Sequence, residues 1–360
     1  MKKVSDLPKK ITIIMKYEDG KEEQINYSLN SLRYGDNPHQ PCAVGYGPSL
    51  KIIQKGKGFS FTNYLDFTSL ATASELSETM KYLNDPRVHA TVINKHTEPA
   101  AFAVAKDPVE SYELAFDMDP KSIFGGAMGI TYLDLETVES ILGKKHFLDV
   151  LEYRKADKEA VDLLKRKRKN LRIVDMSEFD SMEKIYSGWE IRRILFDTLL
   201  VEDFNSLSFF NAKYGWEVQS NYQPTESENM DSKIAWIAAK SIRSNSFVFV
   251  KNGQGMAQCG GQSNREDSAK FAGIRASEFG NDMKGSVGAT DSFLYDEVSV
   301  DINYEMGVKV LVNPGRKLLS PNYADKDIPI LERINEYEMG MIRPYLIVNG
   351  EEHPWRVFRH

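Results

Sequence analysis

The chain reads as an α/β protein of layered construction, and two observations lead there. Helix, strand, polar loop and helix follow one another in that order twice along its 360 residues. Strands alternating with helices favour stacked layers, with functional loops gathered at strand ends. The second observation is that Val88–Asn94 is a largely apolar stretch stopped on both sides by turn and polar residues, the pattern of a buried strand.

The elements follow in order. Ile11–Lys16 and Glu22–Tyr27 flank Asp19-Gly20 and predict a β-hairpin. Phe67, Leu70, Ala71, Ser74, Met80 and Leu83 recur at helical spacing through Leu65–Leu83, and Asn84-Asp85-Pro86 ends that helix. The strand Val88–Asn94 opens into a polar loop, Lys95–Pro99. A further helix begins around Lys158 and runs into Lys165-Arg166-Lys167-Arg168-Lys169. In the second half Ile234, Ile237, Ala238 and Ile242 mark a helix, and Ser246–Lys251 is a strand. Lys251-Asn252-Gly253-Gln254 is a hairpin turn, with Gly255–Cys259 the returning strand. Gly260–Arg265 leads to a helix from Glu266, and a late strand, Val308–Asn313, ends at Pro314-Gly315. Residue identities do not repeat between the halves. The expected division is a first unit at 1–156, a charged helical connection at 157–229 and a second unit at 230–360.

Composition excludes several classes. Apolar residues at 41% and charged residues at 27% are those of a globular protein. No apolar run reaches the ~18 residues of a membrane span, and Met1–Asp6 is not followed by a signal core, so a cytoplasmic protein is expected. Cys42 and Cys259 are too few for a disulfide framework, and no Cys-x-x-Cys or His-Glu-x-x-His spacing supports a metal site. A net charge of −6 argues against broad nucleic-acid binding. The basic run 165–169 reads as a solvated helix end, with contact to a polyanion as the alternative.

Lys95 and His96 are the pair with the most chemical content. A fixed cation beside a group that titrates near neutrality can hold a developing negative charge and accept a proton in one step. Leu32–Gln40 packs a guanidinium, a phenol and an imidazole around Gly35 and Pro38; it suits either a phosphate fork or an ordered surface turn. Ser122–Gly126 is either a plain turn or a place of close ligand approach. Gly260–Arg265 places an arginine at a helix start, an anion site by type. Trp355–His360 is basic and aromatic, with a solvent-exposed chain end as its simplest reading. GxxxxGK[ST] and GxSxG are both absent, which removes the commonest nucleoside-triphosphatase and α/β-hydrolase readings.

Leu32-Arg33-Tyr34-Gly35-Asp36-Asn37-Pro38-His39-Gln40 resembles the signature of the aminoimidazole carboxamide ribonucleotide (AICAR) transformylases. The resemblance continues, in family order, through Lys95-His96-x-x-Pro99, Ile123–Gly126, Ser244–Ser246, Lys251–Gln254, Gly261–Arg265, Ala289–Phe293 and Arg356-x-Phe358-x-His360. It implies two cytidine-deaminase-like three-layer α/β units without the deaminase zinc, joined by a helical segment, in a homodimer with active sites at the subunit interface. It also implies formyl transfer from 10-formyltetrahydrofolate, as co-substrate, to the 5-amino group of AICAR, with no metal needed for catalysis. The cyclohydrolase part common in this family is expected to be absent, since about thirty residues precede Leu32.

By the same resemblance, His96 is the expected base for the AICAR nitrogen and Lys95 the expected oxyanion stabiliser. Arg33, Tyr34, Asn63, Gly125, Asp149, Asn245, Phe293 and Arg356 would hold AICAR, and Arg265 would lie on the folate side. Two departures stand out. The variable and glycine positions around the catalytic pair are Asn94, Glu98 and Ala101, and Glu98 is expected to favour a protonated imidazole. Leu294–Ser299 replaces the family's apolar folate-side segment with polar and acidic residues, which opens the formyl donor to another one-carbon compound. Rivals from other classes are a zinc deaminase, which the cysteines do not fit, and a non-catalytic AICAR-binding protein, for which a base is superfluous.

Overall fold

The computed structural model describes residues 7–32, 40, 42–45, 51–178, 189–195, 198–203, 207–316 and 325–357. The strands are β1 (Lys10–Lys16), β2 (Glu22–Ser28), β3 (Asn30–Ser31), β4 (Ala43–Val44), β5 (Lys51–Gln54), β6 (His89–Lys95), β7 (Glu98–Ala105), β8 (Gly126–Leu133), β9 (Leu148–Ala156) and β10 (Arg172–Asp175). After them come β11 (Trp189–Leu195), β12 (Thr198–Asp203), β13 (Tyr214–Val218), β14 (Phe247–Lys251), β15 (Gln254–Cys259), β16 (Val287–Thr290), β17 (Val310–Val312), β18 (Gly340–Val348) and β19 (Glu351–Pro354). The helices are α1 (Phe61–Leu65), α2 (Thr68–Tyr82), α3 (Pro108–Met118), α4 (Leu135–Gly143), α5 (Lys158–Lys167), α6 (Glu226–Lys240), α7 (Arg265–Phe279), α8 (Val298–Glu305) and α9 (Ile328–Glu336).

One continuous sheet runs β13-β18-β17-β16-β14-β15-β7-β6-β8-β9-β10-β5, with β19 beside β18. Its two halves share one plan. In the first, β6 is antiparallel to β7 and β8, and β8, β9 and β10 are parallel. In the second, β14 is antiparallel to β15 and β16, and β16, β17 and β18 are parallel. Helices fall at matching places, with α2 and α6 before the hairpins and α3–α5 and α7–α9 between the later strands. The halves join where β7 and β15 pair antiparallel, Gln254 against Ala103. The repeat is therefore one of topology, invisible to residue identity.

Helices cover both sheet faces. On one, α2 and α6 lie side by side, tied by the buried Lys240–Glu75 ion pair at 3.0 Å and a 2.8 Å Thr72–Ser241 hydroxyl contact. On the other, α3 meets α7. Local chemistry sets the helix starts. Thr225 Oγ1 accepts from Glu228 N while the Glu228 carboxylate accepts from Thr225 N, a capping box. Asn264 caps α7, which stops at Gly280 with φ 73°. The stretch 157–229 is not a helical connection: among its described residues α5 is followed by β10, β11, β12 and β13 before α6 begins. Trp189-Glu190-Ile191-Arg192 alternates apolar and polar at period two, a strand pattern that the high charge content concealed.

Glu152, fully buried on β9, sits at the start of α2. It accepts from Ser69 Oγ at 3.2 Å, and its Oε2 has no partner among the described residues. Burial pushes this carboxyl well above the ordinary range, and nearby Asp66 adds to the shift. A raised folded pKa means the fold binds a proton the unfolded chain has released. Stability therefore falls as pH climbs above the ordinary carboxylate value of 4.5. Glu152→Gln is expected to gain on the parent chain as pH rises from 4.5 to 8 in thermal melts; a constant offset would contradict this.

Candidate active site

The hairpin β6–β7 turns through two residues only, His96 and Thr97, with Lys95 opposite Glu98. Both turn residues have positive φ, 55° and 74°, the geometry of a type I′ turn that favours Asn and Gly. The matching turn of the second unit has that chemistry, with Asn252 and Gly253 at φ 53° and 82°. The expected loop 95–99 is thus a tight hairpin, concealed because neither of its central residues is a turn former. Strain at such positions costs on the order of 1–3 kcal/mol and needs support from around it. Asp66, next to α1 and buried, supplies part of it by accepting from Thr97 N at 2.6 Å. Burial raises the Asp66 carboxyl, while that hydrogen bond and the charges of His96 and Lys95 pull the other way.

Lys95 Nζ donates to the Phe124 carbonyl at 2.6 Å. Gly125 follows with φ 71°, and a Cβ there would stand 3.2 Å from Lys95 Nζ. Gly125→Ala is accordingly expected to strain the backbone and displace the ammonium, with catalysis falling about tenfold or more; unchanged steady-state kinetics would contradict it. Asn63 Nδ2 lies 3.5 Å from Asp149 Oδ2, and Arg172 holds Asp149 through its side chain at 3.5 Å and its carbonyl at 3.2 Å. Lys95, His96, Gly125, Asn63 and Asp149 therefore share one neighbourhood, to which Asp66 belongs although the sequence offered no sign of it. His96 is exposed.

A second group forms at the start of β14 and the end of β16. Asp291 is fully buried and accepts from Ser244 Oγ at 2.7 Å, Ser246 N at 2.7 Å and Arg265 Nη2 at 3.1 Å. Three guanidinium carbons surround the Phe293 ring: Arg316 at 5.0 Å, Arg356 at 5.8 Å and Arg265 at 5.9 Å. Burial lowers the Arg265 pKa against the pull of Asp291, and burial together with the Arg265 charge lowers that of Arg356. Asp291 pairs with Arg265 at 3.1 Å and Asp327 stands 4.0 Å from Arg316, so the three guanidinium groups gather at one aromatic face, an arrangement suited to an anion. Asn245 donates to the Gln262 carbonyl at 3.0 Å, and its own carbonyl accepts from Ser268. Arg265 stands with Phe293 and Arg356. Arg316 and Asp291 were missed by sequence reasoning, although Asp291 lay within the Ala289–Phe293 block. The chain end is not frayed at 355–357: Trp355 is buried against Phe209, Tyr214 and Trp236, and Val357 N reaches Asp291 O.

The two groups occupy the same end of the sheet. Extending the β7–β15 register from Gln254–Ala103 brings Cys259 opposite Glu98. Glu98 accepts from Arg243 N at 3.2 Å and stands 4.0 Å from its Nε, so the carboxylate engages the second unit next to Ser244-Asn245. Arg33 and Tyr34 lie outside the described residues, as do Phe358 and His360. Among the described residues no cluster of His, Cys, Asp and Glu is arranged to hold a metal ion, and no helix is long and apolar enough to cross a membrane.

An α/β protein with a lysine–histidine hairpin and an arginine-lined aromatic face at one sheet end is the class these observations define. The chain belongs to the AICARFT/IMPCHase bienzyme family, whose model matches residues 5–275. It is similar to the bifunctional purine biosynthesis protein PurH of Persephonella marina, 32% identical over 323 residues, 87% of this chain and 58% of that protein. The chain thus spans little more than half the length of that relative. Among solved structures it aligns with a chain described as a formate dehydrogenase accessory protein from Desulfotalea psychrophila. That match has 10% identity and a TM-score of 0.23 over 46% of this chain and 93% of the other, too low to bear on the fold.

Proposed function

We propose that the chain transfers a formyl group from 10-formyltetrahydrofolate to the 5-amino group of AICAR, as in de novo purine biosynthesis. The observation that carries this reading is the Lys95–His96 turn, set against Gly125 and at the same sheet end as the Arg265–Phe293–Arg356 group, in a chain of this family. Arg356, Phe293 and Asn245, with Arg33 and Tyr34, would hold the nucleotide and its phosphate. Asn63, Gly125 and Asp149 would line the approach to the amine, and Arg265 would lie toward the folate.

The amine's lone pair is delocalised, so it is a poor nucleophile. Its nitrogen attacks the formyl carbon, forming a C–N bond and a tetrahedral oxyanion. Lys95 stabilises that oxyanion and His96 takes the nitrogen's proton. Collapse breaks the bond to N10 of the folate, which leaves as tetrahydrofolate after gaining a proton. The chain's residues supply charge and proton transfer, and the reading needs no metal.

The exposure of His96 supports a homodimer in which the partner subunit closes the cavity. The repeated topology supports two cytidine-deaminase-like units, at 1–156 and 230–360. The reaction would take place in the cytoplasm with AICAR and a folate as the only substrates. Purified protein given AICAR and 10-formyltetrahydrofolate is expected to release tetrahydrofolate only when both are present. No release would overturn the reading, and activity with formate plus ATP alone would transfer it to another donor.

A further inference from the structure

The turn that receives the Lys95 ammonium is held from behind by a histidine outside the candidate site. Ile123–Gly126 closes with Gly126 N donating to the Ile123 carbonyl at 3.0 Å, and Gly125 at its third position has φ 71°, the arrangement of a type II turn. Its central peptide is fastened at both ends. The Phe124 carbonyl accepts from Lys95 Nζ at 2.6 Å, and Gly125 N donates to the Phe147 carbonyl at 2.7 Å. The strand side is as close, since a Cβ on Gly126 would stand 2.7 Å from the Asn94 carbonyl.

His146 completes this clamp. It lies between α4 and β9, 5% exposed, with Nε2 3.3 Å from the Ile123 carbonyl and Nδ1 3.3 Å from Tyr112 Oη. A carbonyl only accepts, so Nε2 carries the ring hydrogen and Nδ1 accepts from the Tyr112 hydroxyl. Both polarities hold through the neutral range. Burial pushes the His146 pKa down to about 4 against the pull of the Ile123 carbonyl, and burial pushes the Tyr112 phenol up. The imidazole is stacked with Tyr112 at 6.1 Å and meets Phe116 edge-on at 5.2 Å, which fixes its orientation. His146 and Phe147 therefore grip successive peptides of the turn, one through a side chain and the other through its main chain.

From this geometry we propose that His146 is a positioning residue for formyl transfer: its Nε2–H fixes the Ile123–Gly126 turn and so sets where the Phe124 carbonyl holds the Lys95 ammonium. The kinetic part of the inference rests on the formyl-transfer reading. A displacement of about 1 Å at a group that must meet the reacting atoms costs up to roughly 10²-fold in rate. His146 is buried behind the turn, so its loss should fall on kcat and spare KM.

Two variants separate the hydrogen bond from the packing. His146→Leu fills the space and deletes the donor, while His146→Gln returns an N–H to the Ile123 carbonyl and an acceptor to Tyr112. With AICAR and 10-formyltetrahydrofolate, H146L is expected to lose about tenfold in kcat with both KM values within about twofold, and H146Q to stay within about threefold of the parent. Equal losses in both variants would assign the residue to packing and overturn the proposal, as would an H146L variant at the parent rate. Should H146L fail to fold, Tyr112→Phe takes its place. It keeps the ring, removes the donor that fixes the imidazole tautomer, and should lower kcat about threefold; an unchanged kcat overturns the proposal.

A second readout needs no turnover. Acetylation of Lys95 by acetic anhydride, followed by mass spectrometry against the exposed Lys270, is expected to quicken about fivefold in H146L as the ammonium leaves the Phe124 carbonyl, the scale of one hydrogen bond. H146Q should restore the parent rate. If the parent transfers no formyl group, the formyl-transfer reading fails and this rate decides the positioning role alone. Equal Lys95 rates in all three proteins end it.

Discussion

Replacing His96 with alanine is expected to lower kcat by about 10²-fold or more, the contribution of a positioned base, with the KM for AICAR within a few-fold of the parent. The selectivity of this loss follows from where the imidazole stands. It projects from a two-residue turn held by Asp66 through the Thr97 amide, and it is exposed, so its removal leaves no buried void. Alanine at positive φ is disfavoured as histidine is, so the turn itself is not relieved. The group around Phe293 and Arg356, proposed to hold the nucleotide, is untouched by the change. Rates measured with saturating and limiting AICAR separate the two quantities, and a loss under tenfold would reassign the base.

Asp291→Ala is expected to be the most destabilising single change in the site. The carboxylate is fully buried and accepts from two serine hydroxyls, a backbone amide and Arg265. Its removal strands the Arg265 guanidinium, itself 5% exposed, as a buried charge without its counter-ion. Breaking a buried pair in this way costs about 3–5 kcal/mol. It also frees the amide of Ser246 at the start of β14. Denaturant unfolding should show a loss of that size, together with weaker AICAR binding because Asn245 and Phe293 lose their support. A loss below about 1 kcal/mol would show that Arg265 finds another partner and that Asp291 does not organise this corner.

What the sequence disclosed, and what it concealed, has a physical pattern. Elements whose own residues carry the signal were legible: α2 by its helical repeat, β14 and β15 by the Asn252-Gly253 turn, and β1 and β2 by Asp19-Gly20. The tight His96–Thr97 turn was not, because tertiary support from Asp66 replaces the turn chemistry that would have marked it. The strands between 189 and 218 were hidden by their charge. The repeat of the two units was legible in the order of their elements but not in their residues, since matching strands bury different residues on the same plan. Lys95 and His96 were legible as a chemical pair, yet Asp66, Asp291 and Arg316 join the site only through the fold. Their roles depend on burial and on neighbours remote in sequence, which no local spacing encodes.

The most direct test follows a formyl group labelled with radioactive carbon from 10-formyltetrahydrofolate into product. With the parent chain and AICAR, the label is predicted to appear on the AICAR amine, and a Lys95→Ala, His96→Ala double variant that still binds AICAR should leave it on the folate. Transfer by that variant at the parent rate, or none by the parent itself, would contradict the account.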